Sequence, residues 1–307
     1  MNETNGADYD VMVIGGGPAG LSAALLLGRC LRRVLLCDAG HPRNAASKAM
    51  HGFLGLDGIN PASFLEQARR DLLRYPNVTF CPASVAKVEK CHTGFRIVAA
   101  GSSIYEARAM ILATGLRDTL PDIPGFHDFY GTSIHTCPYC DAWEHRGRRI
   151  GVLGHDSAAV DLALELTIWS KDITLYTSCH DVPDSAASAR LNANGIKIMS
   201  GSISRLAGKD GRLSQVFLPT EMFGCDGLFF SPKQWHQSKF AQDLGCEVDR
   251  ENGSVVCGIE GDVPIDGLFV AGNLTKGVQL ALIAASEGIR AGVSANEWLL
   301  AADLIGG

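Results

Sequence analysis

Residues 9–20, YDVMVIGGGPAG, decide the fold of this chain. The first six are mostly apolar and β-favouring, which predicts a buried parallel strand. That strand runs directly into Gly15, Gly17 and Gly20, and a helical run over residues 21–28 follows. The Gly-x-Gly-x-x-Gly spacing gives a tight turn, lets the backbone approach a pyrophosphate and packs the helix closely on the strand. The amino terminus of the helix would then face the phosphates.

An acidic residue strengthens this interpretation. A second predicted strand, residues 33–37, ends in Asp38, which lies roughly twenty residues beyond the glycines, where a carboxylate accepts hydrogen bonds from ribose hydroxyls. A glycine cluster alone is a weak signal. A strand, a helix and an acid in this order predict a dinucleotide site.

The carboxyl-terminal part of the chain complements this unit. Residues 266–273 predict a strand ending in a glycine turn, and an amphipathic helix follows over residues 279–300. Together with Ala113-Thr114-Gly115, which follows a strand at residues 109–112, this pattern resembles the FAD-binding half of a flavoprotein with two dinucleotide-binding domains. The resemblance implies a discontinuous FAD domain, residues 1–116 and 250–307, with a second domain, residues 117–249, inserted into it.

Cys137 and Cys140 enclose a Cys-Pro-Tyr-Cys tetrapeptide between two glycine-rich strand-turn-helix units. Such a pair binds a metal, cross-links a fold or cycles between dithiol and disulfide. A structural zinc needs a second ligand pair at similar spacing, and the sequence has none, so no metal is predicted. Neighbouring dinucleotide sites favour redox cycling. The other cysteines are scattered singly and are interpreted as small buried hydrophobes: Cys30, Cys37, Cys81, Cys91, Cys179, Cys225, Cys246 and Cys257.

Thiol-disulfide exchange needs a thiolate, a second thiol to resolve the mixed disulfide and a proton relay. Cys137, Cys140 and Asp141 offer all three. A helix starting at the pair would favour the thiolate, and Pro138 suits a first helical turn. His135 and His145 flank the pair and are a further possible relay, although we interpret both as surface histidines.

The order of these motifs resembles that of a low-molecular-weight thioredoxin reductase over the whole chain. The resemblance implies an α/β fold of two Rossmann-like dinucleotide-binding domains, the second inserted into the first. It implies that Cys140 faces the flavin, that Cys137 attacks the substrate disulfide and that Asp141 exchanges protons with the thiols. The FAD contacts that it implies are Gly15, Gly17, Pro18, Ala19, Gly20, Asp38, Ala113, Thr114, Gly115, Gly272, Asn273, Gln279 and Leu280. Asn273 replaces the family's usual aspartate and Gln279 lies within an altered ring-contact segment.

The second glycine turn departs from the family. A strand at residues 150–154 runs into Gly154-His155-Asp156-Ser157, followed by a helix over residues 158–169. In thioredoxin reductases this turn is Gly-x-Gly-x-x-Ala and receives NADPH. Asp156 stands at the second glycine, where its carboxylate would repel a pyrophosphate.

The next strand, residues 172–176, shows a second departure. NADPH-using members follow it with arginines that hold the 2′-phosphate by charge-assisted bonds. This chain continues with residues 177–183, TSCHDVP, and has no arginine before Arg190. NADPH is therefore not the expected donor.

Another ligand is a candidate for this second site. Residues 51–58, HGFLGLDG, and the overall pattern are similar to the branch holding gliotoxin-type dithiol oxidases and diflavin-linked disulfide oxidoreductases. The latter place a second FAD where NADPH would lie, which makes a second FAD possible at Gly154, His155, Asp156 and Ser157. The aromatic residues of this domain are interpreted as core residues rather than a flavin sandwich: Trp169, Tyr176, Phe217, Phe223, Phe229, Phe230 and Trp235.

Composition limits the function classes. A chain of 307 residues with a net charge of −6 has no basic surface for nucleic acid or an anionic membrane. No signal sequence or apolar membrane span is found, so a soluble cytoplasmic protein is expected. The expected substrate is a disulfide or dithiol, either a small protein such as thioredoxin or a small molecule. Resemblance alone implies a homodimer.

The leading hypothesis is an FAD-dependent thiol-disulfide oxidoreductase of thioredoxin reductase fold that does not use NADPH. The main alternative is a dithiol oxidase that forms a disulfide in a small metabolite and passes electrons to oxygen. An ordinary NADPH-dependent thioredoxin reductase and a non-catalytic, flavin-binding redox sensor are further alternatives.

Overall fold

The computed structural model describes residues 7–178 and 183–305. The chain forms two compact units. The first comprises Met1–Ala45, Pro61–Arg117 and Gln234–Gly307, and the second comprises Ala46–Asn60 and Asp118–Lys233.

Strands and helices alternate around the two glycine turns, whereas longer runs of consecutive strands follow the second and the sixth α-helix. The strands are β1 Tyr9–Ile14, β2 Val34–Cys37, β3 Val78–Cys81, β4 Val85–Cys91, β5 Gly94–Ala99, β6 Ile104–Leu112, β7 Leu116–Asp118, β8 Ile134–His135, β9 Ile150–Leu153, β10 Ile173–Thr177, β11 Lys197–Ser200, β12 Arg205–Lys209, β13 Arg212–Phe217, β14 Met222–Gly224, β15 Gly227–Phe230, β16 Gln234–His236 and β17 Leu268–Val270. The α-helices are α1 Pro18–Arg29, α2 Pro61–Leu72, α3 Phe126–Phe129, α4 Pro138–Asp141, α5 Ser157–Glu165, α6 Ser185–Ala193, α7 Phe240–Asp243 and α8 Ala281–Ile305.

The first unit is built on a sheet with strand order β3-β2-β1-β6-β5-β4. The long strand β6 has two partners on one edge, because its first half pairs antiparallel with β5 and its second half pairs parallel with β17. Strands β3, β2, β1, β6 and β17 are parallel to their neighbours. Their carboxyl ends therefore meet at one edge, where ligands bind in open α/β sheets.

Helices α1 and α8 cover one face of this sheet. A Cβ on Gly288 would lie 2.0 Å from the carbonyl oxygen of Ala19, so glycine is what allows the two helices to approach this closely. Val11 and Val13 of β1 and Leu27 of α1 are fully buried between the helices and the sheet. Packing of these core side chains on this face holds α1 against the sheet at the end of β1.

The second unit contains a parallel sheet with strand order β11-β10-β9-β15-β8. An antiparallel sheet, β12-β13-β14, accompanies it. Ile150, Val152, Leu175 and Phe229 pack with α5 into one hydrophobic cluster. Two strand-turn-helix units in separate sheets confirm the predicted α/β class with two Rossmann-like domains.

The division of the chain differs from the predicted boundaries of 117–249 and 250–307. Ala241 and Cys246, predicted in the inserted domain, pack in the core of the first unit with Val88 and Phe95. Residues 46–60 belong to the second unit, where the carbonyl oxygen of Ala46 would lie 2.3 Å from a Cβ on Gly131. The predicted boundary near residue 250 rested on clustered turn residues. The burial of helix α7 against the first sheet instead places this boundary earlier in the chain.

Candidate active site

The first glycine turn joins β1 to α1 and is shaped by close backbone contacts. Gly15 has a φ of 110°, and a Cβ there would lie 2.2 Å from the carbonyl oxygen of Ala113. A Cβ on Gly20 would lie 1.8 Å from the carbonyl oxygen of Gly15. Both positions therefore require glycine, since any side chain would force the backbone apart.

The amino terminus of α1 is open. Gly17 is its N-cap residue, no side chain caps it, and a Cβ on Gly17 would meet no heavy atom within 4 Å. Pro18 occupies the first helical turn, where its missing N–H costs no hydrogen bond. The first amides of α1 are therefore available to a phosphate group.

Asp38 follows β2 at the same edge of the sheet. Its carboxylate lies 2.7 Å from a guanidinium nitrogen of Arg69, and a Cβ on Gly16 would lie 2.5 Å from its Cγ. The acid is thus held directly beside the glycine turn. This is the arrangement that a ribose next to a pyrophosphate requires.

The other predicted contacts follow β6 and β17. Ala113 and Thr114 lie at the end of β6, and Gly115 has a φ of 69°. Gly272 begins a single 3₁₀ turn that contains Asn273. A Cβ on Gly272 would lie 2.9 Å from the Cβ of Ala19. The structure therefore gathers both glycine segments at the amino terminus of α1, and these residues fit FAD.

Gln279 and Leu280 precede α8. Gln279 accepts hydrogen bonds from Gln234 and Arg43, at 3.0 Å and 2.6 Å, and donates one to Gln234 at 2.9 Å. This amide pair could not be predicted from sequence, because Gln234 and Gln279 are 45 positions apart.

Cys137 and Cys140 form a disulfide, with their Cα atoms 5.3 Å apart. The pair opens α4, as predicted, and Cys137 is the N-cap residue. The backbone N–H of Cys140 donates to the sulfur of Cys137 at 3.2 Å. A hydrogen bond from an amide stabilises a thiolate, so this contact favours Cys137 as the nucleophile once the disulfide is reduced. Tyr139, between the two cysteines, is 64% exposed.

The two histidines beside the disulfide are buried, which corrects the prediction that both lie on the surface. His135 and His145 are 7% and 6% exposed, and their Nε2 atoms lie 3.0 Å apart. Nδ1 of His135 lies 3.3 Å from the carboxylate of Asp141. Sequence spacing alone missed this arrangement because β8 and the turn after α4 bring the rings together.

The contacts define the protonation of His145. Burial and, to a smaller extent, the neighbouring His135 together lower its pKa to about 4. Nδ1 of His145 is buried and has no hydrogen-bond partner among the described residues, and it faces Gly227. If Nδ1 of His135 donates to Asp141, its Nε2 accepts a hydrogen bond from the Nε2–H of His145, which leaves the unpaired Nδ1 of His145 as an acceptor. In this arrangement the buried His145 is linked through the buried His135 to the half-buried carboxylate of Asp141.

In the second glycine turn, the side chain of a turn residue caps the helix that follows. Gly154 begins the turn after β9 with a φ of 150°, and a Cβ there would lie 2.6 Å from the Cβ of Ala159. Asp156 is the N-cap of α5, and its carboxylate accepts a hydrogen bond from the amide of Ala159 at 3.0 Å. His155 and Ser157 beside it are exposed. An acidic side chain therefore occupies the N-cap position of α5, whereas the corresponding N-cap position of α1 is open.

The following helix repeats this arrangement. Asp184 is the N-cap of α6, and its carboxylate accepts a hydrogen bond from the amide of Ala187 at 2.8 Å. Residues 179–182, within the segment where the family's arginines were sought, lie outside the described residues. Arg190 lies 3.7 Å from the carboxylate of Asp161.

A cavity of about 470 Å³ lies in the second unit beside the disulfide. Its walls come from the segment containing Pro138 and from α5. The lining residues are Thr136, Pro138, Ala158, Asp161, Leu162, Glu165 and Ser231. Of the aromatic residues considered for a flavin sandwich, Tyr176, Phe229 and Phe230 are buried core residues, as predicted. The prediction was wrong for Trp235, which is exposed, and Trp169, Phe217 and Phe223 are half-buried.

The remaining cysteines only partly match their interpretation as buried hydrophobes. Cys37, Cys225 and Cys246 are buried, but Cys30 is exposed because it caps the carboxyl end of α1. Cys81, Cys91 and Cys257 are half-buried. Cys179 lies outside the described residues. Over residues 7–178 and 183–305, no cluster of side chains has the composition of a metal site, and no helix is long and apolar enough to cross a membrane.

An open dinucleotide turn and a redox disulfide in a second Rossmann-like unit define a class, the flavin-dependent disulfide oxidoreductases. Comparison with known proteins agrees. The family model described as "Pyridine nucleotide-disulphide oxidoreductase" matches residues 9–288, so the chain belongs to this family. The family implies FAD, which the first turn fits.

Within the family the chain is similar to thioredoxin reductases. The crystal structure of HlmI is 33% identical, covers 100% of this chain and 96% of its own, and superposes with a TM-score of 0.93. The crystal structure of a putative thioredoxin reductase TrxB from Bacillus anthracis is 31% identical, with coverage of 96% and 99% and a TM-score of 0.90. A probable thioredoxin reductase from Arthroderma benhamiae is 39% identical over 57% of this chain. The match spans only 46% of that relative's length.

Proposed function

We propose that this protein is an FAD-dependent thiol-disulfide oxidoreductase that exchanges electrons with an external dithiol or disulfide and does not use NADPH. The observation that carries the proposal is the contrast between the two helix amino termini. The amides of α1 are open, whereas Asp156 caps α5. The disulfide between Cys137 and Cys140 beside the capped helix supplies the redox pair.

The capped turn weakens binding of NADPH in two ways. The amide of Ala159, which would meet a phosphate, already bonds to Asp156. A phosphate brought to the carboxylate would also be repelled, by about 1 kcal/mol per pair of unit charges at 4 Å in water and by more where solvent is excluded. The carboxylate of Asp184 at α6 adds negative charge beside the next strand.

The same argument applies to a second FAD. Its pyrophosphate carries the same charge as that of NADPH and would meet the same carboxylate of Asp156. We therefore propose one FAD per chain, at the turn containing Gly15 and Gly17.

The chemistry at the cysteines is a balanced exchange. In the direction of dithiol oxidation, a substrate thiolate attacks one sulfur of the Cys137–Cys140 disulfide and forms a mixed disulfide. The second substrate thiol attacks its own sulfur in that bond, which releases an oxidised substrate and two protein thiols. Cys137 is proposed as the sulfur attacked, so that Cys140 leaves as a thiolate in the first step and Cys137 leaves in the second, where the amide of Cys140 stabilises it. Bound FAD would accept the two electrons of the reduced pair, from Cys140.

The buried histidines provide for the protons. Each exchange step creates or consumes a thiolate, so a base must be close to the pair. Asp141 adjoins Cys140, and His135 links Asp141 to the neutral His145. We propose that Asp141 accepts the thiol proton and that His135, held by His145, orients the carboxylate.

The direction follows from the available reductant. Without a nucleotide donor, a substrate dithiol is itself the reductant, and the electrons leave to oxygen or to another disulfide. The cavity of about 470 Å³ beside Pro138 suits a small-molecule dithiol. This favours the dithiol oxidase among the alternatives. A homodimer is retained as a proposal by resemblance.

The test is anaerobic mixing of the FAD-loaded protein with either NADPH or dithiothreitol, followed through flavin absorbance. We expect the dithiol to bleach the flavin in the wild type but not in Cys137→Ser, and NADPH to bleach it at least about 100-fold more slowly. Rapid bleaching by NADPH would contradict the proposal. A flavin-to-chain ratio near two would contradict the single-flavin part.

An ordinary NADPH-dependent thioredoxin reductase is the second candidate. The names of proteins similar to this chain favour this candidate, since those from Bacillus anthracis and Arthroderma benhamiae are described as thioredoxin reductases. Rapid bleaching by NADPH, followed by reduction of thioredoxin, would establish this candidate instead.

A further inference from the structure

A β-hairpin in the first unit brings two of the remaining cysteines face to face. Val248 and Val255 are antiparallel bridge partners, and the amide of Val256 donates to the carbonyl of Glu247 at 2.9 Å. Residues 247 and 256 are therefore a hydrogen-bonded pair. In an antiparallel ladder, hydrogen-bonded and non-hydrogen-bonded pairs alternate.

Continued by one residue beyond the pair 247 and 256, this register places Cys246 opposite Cys257 at a non-hydrogen-bonded position. Such pairs have Cα atoms about 4.5 Å apart, which lies within the range of disulfides, about 4.4–6.8 Å. The two cysteines therefore need no change of register to be bridged.

Two further observations place both sulfurs on one side of the hairpin. Cys246 and Cys257 pack with Val255 in the same hydrophobic cluster. Burial and, to a smaller extent, the neighbouring thiol of Cys257 together raise the pKa of Cys246 to about 11. Both cysteines are free thiols in the structure.

Cys257 can be reached from solvent. It is half-buried and lines a cavity of about 360 Å³ between the hairpin and α8. Lys276, Glu287 and Arg290 lie on the other walls. The cavity is large enough for a small disulfide to approach the sulfur of Cys257.

We propose that Cys246 and Cys257 form a second redox-active pair, distinct from Cys137 and Cys140, which is oxidised to a cross-strand disulfide by small-molecule disulfides that enter this cavity. The thiolate of Cys257 attacks one sulfur of the small disulfide, and one small thiol leaves. The thiolate of Cys246 then attacks the sulfur of Cys257, and the second small thiol leaves. Two protein thiols lose two electrons and two protons, and the small disulfide gains them as two thiols.

The hairpin supports the carboxyl-terminal glycine turn. The amide of Val255 donates to the carbonyl of Leu274 at 2.8 Å, and Leu274 ends the 3₁₀ turn that begins at Gly272. A cross-link across the hairpin fixes the strand that holds this turn. The oxidised pair is therefore expected to raise the midpoint of thermal unfolding, by about 5 °C if it closes the loop without strain.

The experiment treats the FAD-loaded wild type with bis(2-hydroxyethyl) disulfide at pH 8.5, followed by alkylation of free thiols and peptide mapping without reduction. We expect a cross-link between the peptides carrying Cys246 and Cys257, which dithiothreitol reverses. A chain in which Cys30 is modified but Cys246 and Cys257 both remain free would overturn the proposal.

Three variants sharpen the result. Cys246→Ala should stop at a mixed disulfide on Cys257 and lose the thermal shift, and Cys257→Ser should show neither cross-link nor adduct at Cys246. Cys30→Ser, which removes an exposed cysteine outside the pair, should cross-link as the wild type does. An equal thermal shift in the wild type and in a well-folded Cys257→Ser would also overturn the proposal.

Discussion

The carboxylate of Asp156 accepts a hydrogen bond of 3.0 Å from the amide of Ala159. This contact completes the amino terminus of α5 with a side chain of the protein itself. The matching position of α1 is Gly17, which has no side chain to do so. Two turns built to the same plan therefore differ in what they can bind.

The N-cap of α5 should make a measurable contribution to the free energy of unfolding. Asp156→Ala removes the hydrogen bond to Ala159 and is expected to lower the free energy of unfolding by about 1 kcal/mol. Asp156→Asn keeps an oxygen acceptor and should stay within about 0.5 kcal/mol of the wild type. Urea unfolding of both variants measures this. Equal stability of Asp156→Ala and the wild type would show that the cap contributes nothing.

The two cysteines should differ when replaced singly. Turnover of a dithiol should fall by at least about 10³ in both Cys137→Ser and Cys140→Ser, because exchange needs both sulfurs. Within the pair, only the cysteine retained in Cys140→Ser should form a stable mixed disulfide with an offered small disulfide. Peptide mapping without reduction locates this adduct at Cys137. An adduct in Cys137→Ser but not in Cys140→Ser would reverse the proposed roles.

Proton transfer through Asp141 should be visible in the pH dependence. Asp141→Asn is expected to lower kcat by about 10² or more while KM for the dithiol stays within about twofold, since the carboxylate acts as a base. His135→Asn should show a smaller fall in kcat. The check is the pH-rate profile, whose acidic limb should change in Asp141→Asn. An unchanged profile would mean that another group carries the proton.

His145 should make the fold sensitive to acid. Burial keeps its pKa at about 4 in the native state, whereas the unfolded chain has the ordinary value of 6.5. Between these values the unfolded state binds more protons, so stability is fully present above pH 6.5 and falls as the pH drops towards 4. His135 and Arg148 reinforce the shift, while Asp141 and Asp226 oppose it.

The expected loss through His145 between pH 7.5 and pH 5 is about 2 kcal/mol. His145→Gln keeps a hydrogen-bonding side chain towards His135. Over this pH range the variant should lose less stability than the wild type, by about the amount attributed to His145. Urea unfolding at the two pH values compares the proteins. The same pH dependence in both would assign the acid sensitivity to other groups.

The first turn offers a pair of glycine replacements with opposite expectations. Gly15→Ala places a Cβ 2.2 Å from the carbonyl of Ala113 at a φ of 110°, so the chain should lose about 1–3 kcal/mol or more of stability even without cofactor. Gly17→Ala meets open space and should leave the cofactor-free chain within about 0.5 kcal/mol of the wild type. It should nevertheless weaken FAD binding, because its methyl group faces the phosphates. Unfolding and flavin-binding measurements separate the two effects.

Much of the fold could be predicted from local sequence. The strand β1 was predicted with its observed bounds, and the glycine turn followed from spacing. Helix α1 begins at Pro18, three residues before the predicted helical run, because proline is accepted in a first turn. The boundary near residue 250 was placed too late, since the burial of Ala241 depends on contacts with distant strands.

The candidate site divides in the same way. Cys137, Cys140 and Asp141 were found because they are adjacent in sequence. The chain of His135 and His145 was missed because two histidines ten residues apart give no sign of burial. Asp156 was identified as an obstacle to phosphate, but its bond to Ala159 is a property of the folded turn.

The sequence by itself determined the two glycine turns, the redox pair and the family, because these depend on residue type and spacing within short segments. Only the tertiary structure decided that the histidines are buried together, that Asp156 closes α5 and that Cys246 faces Cys257. Each of these depends on pairing or packing that fixes the direction of a side chain. Residue spacing predicts which groups are present, whereas the packed backbone decides which of them meet.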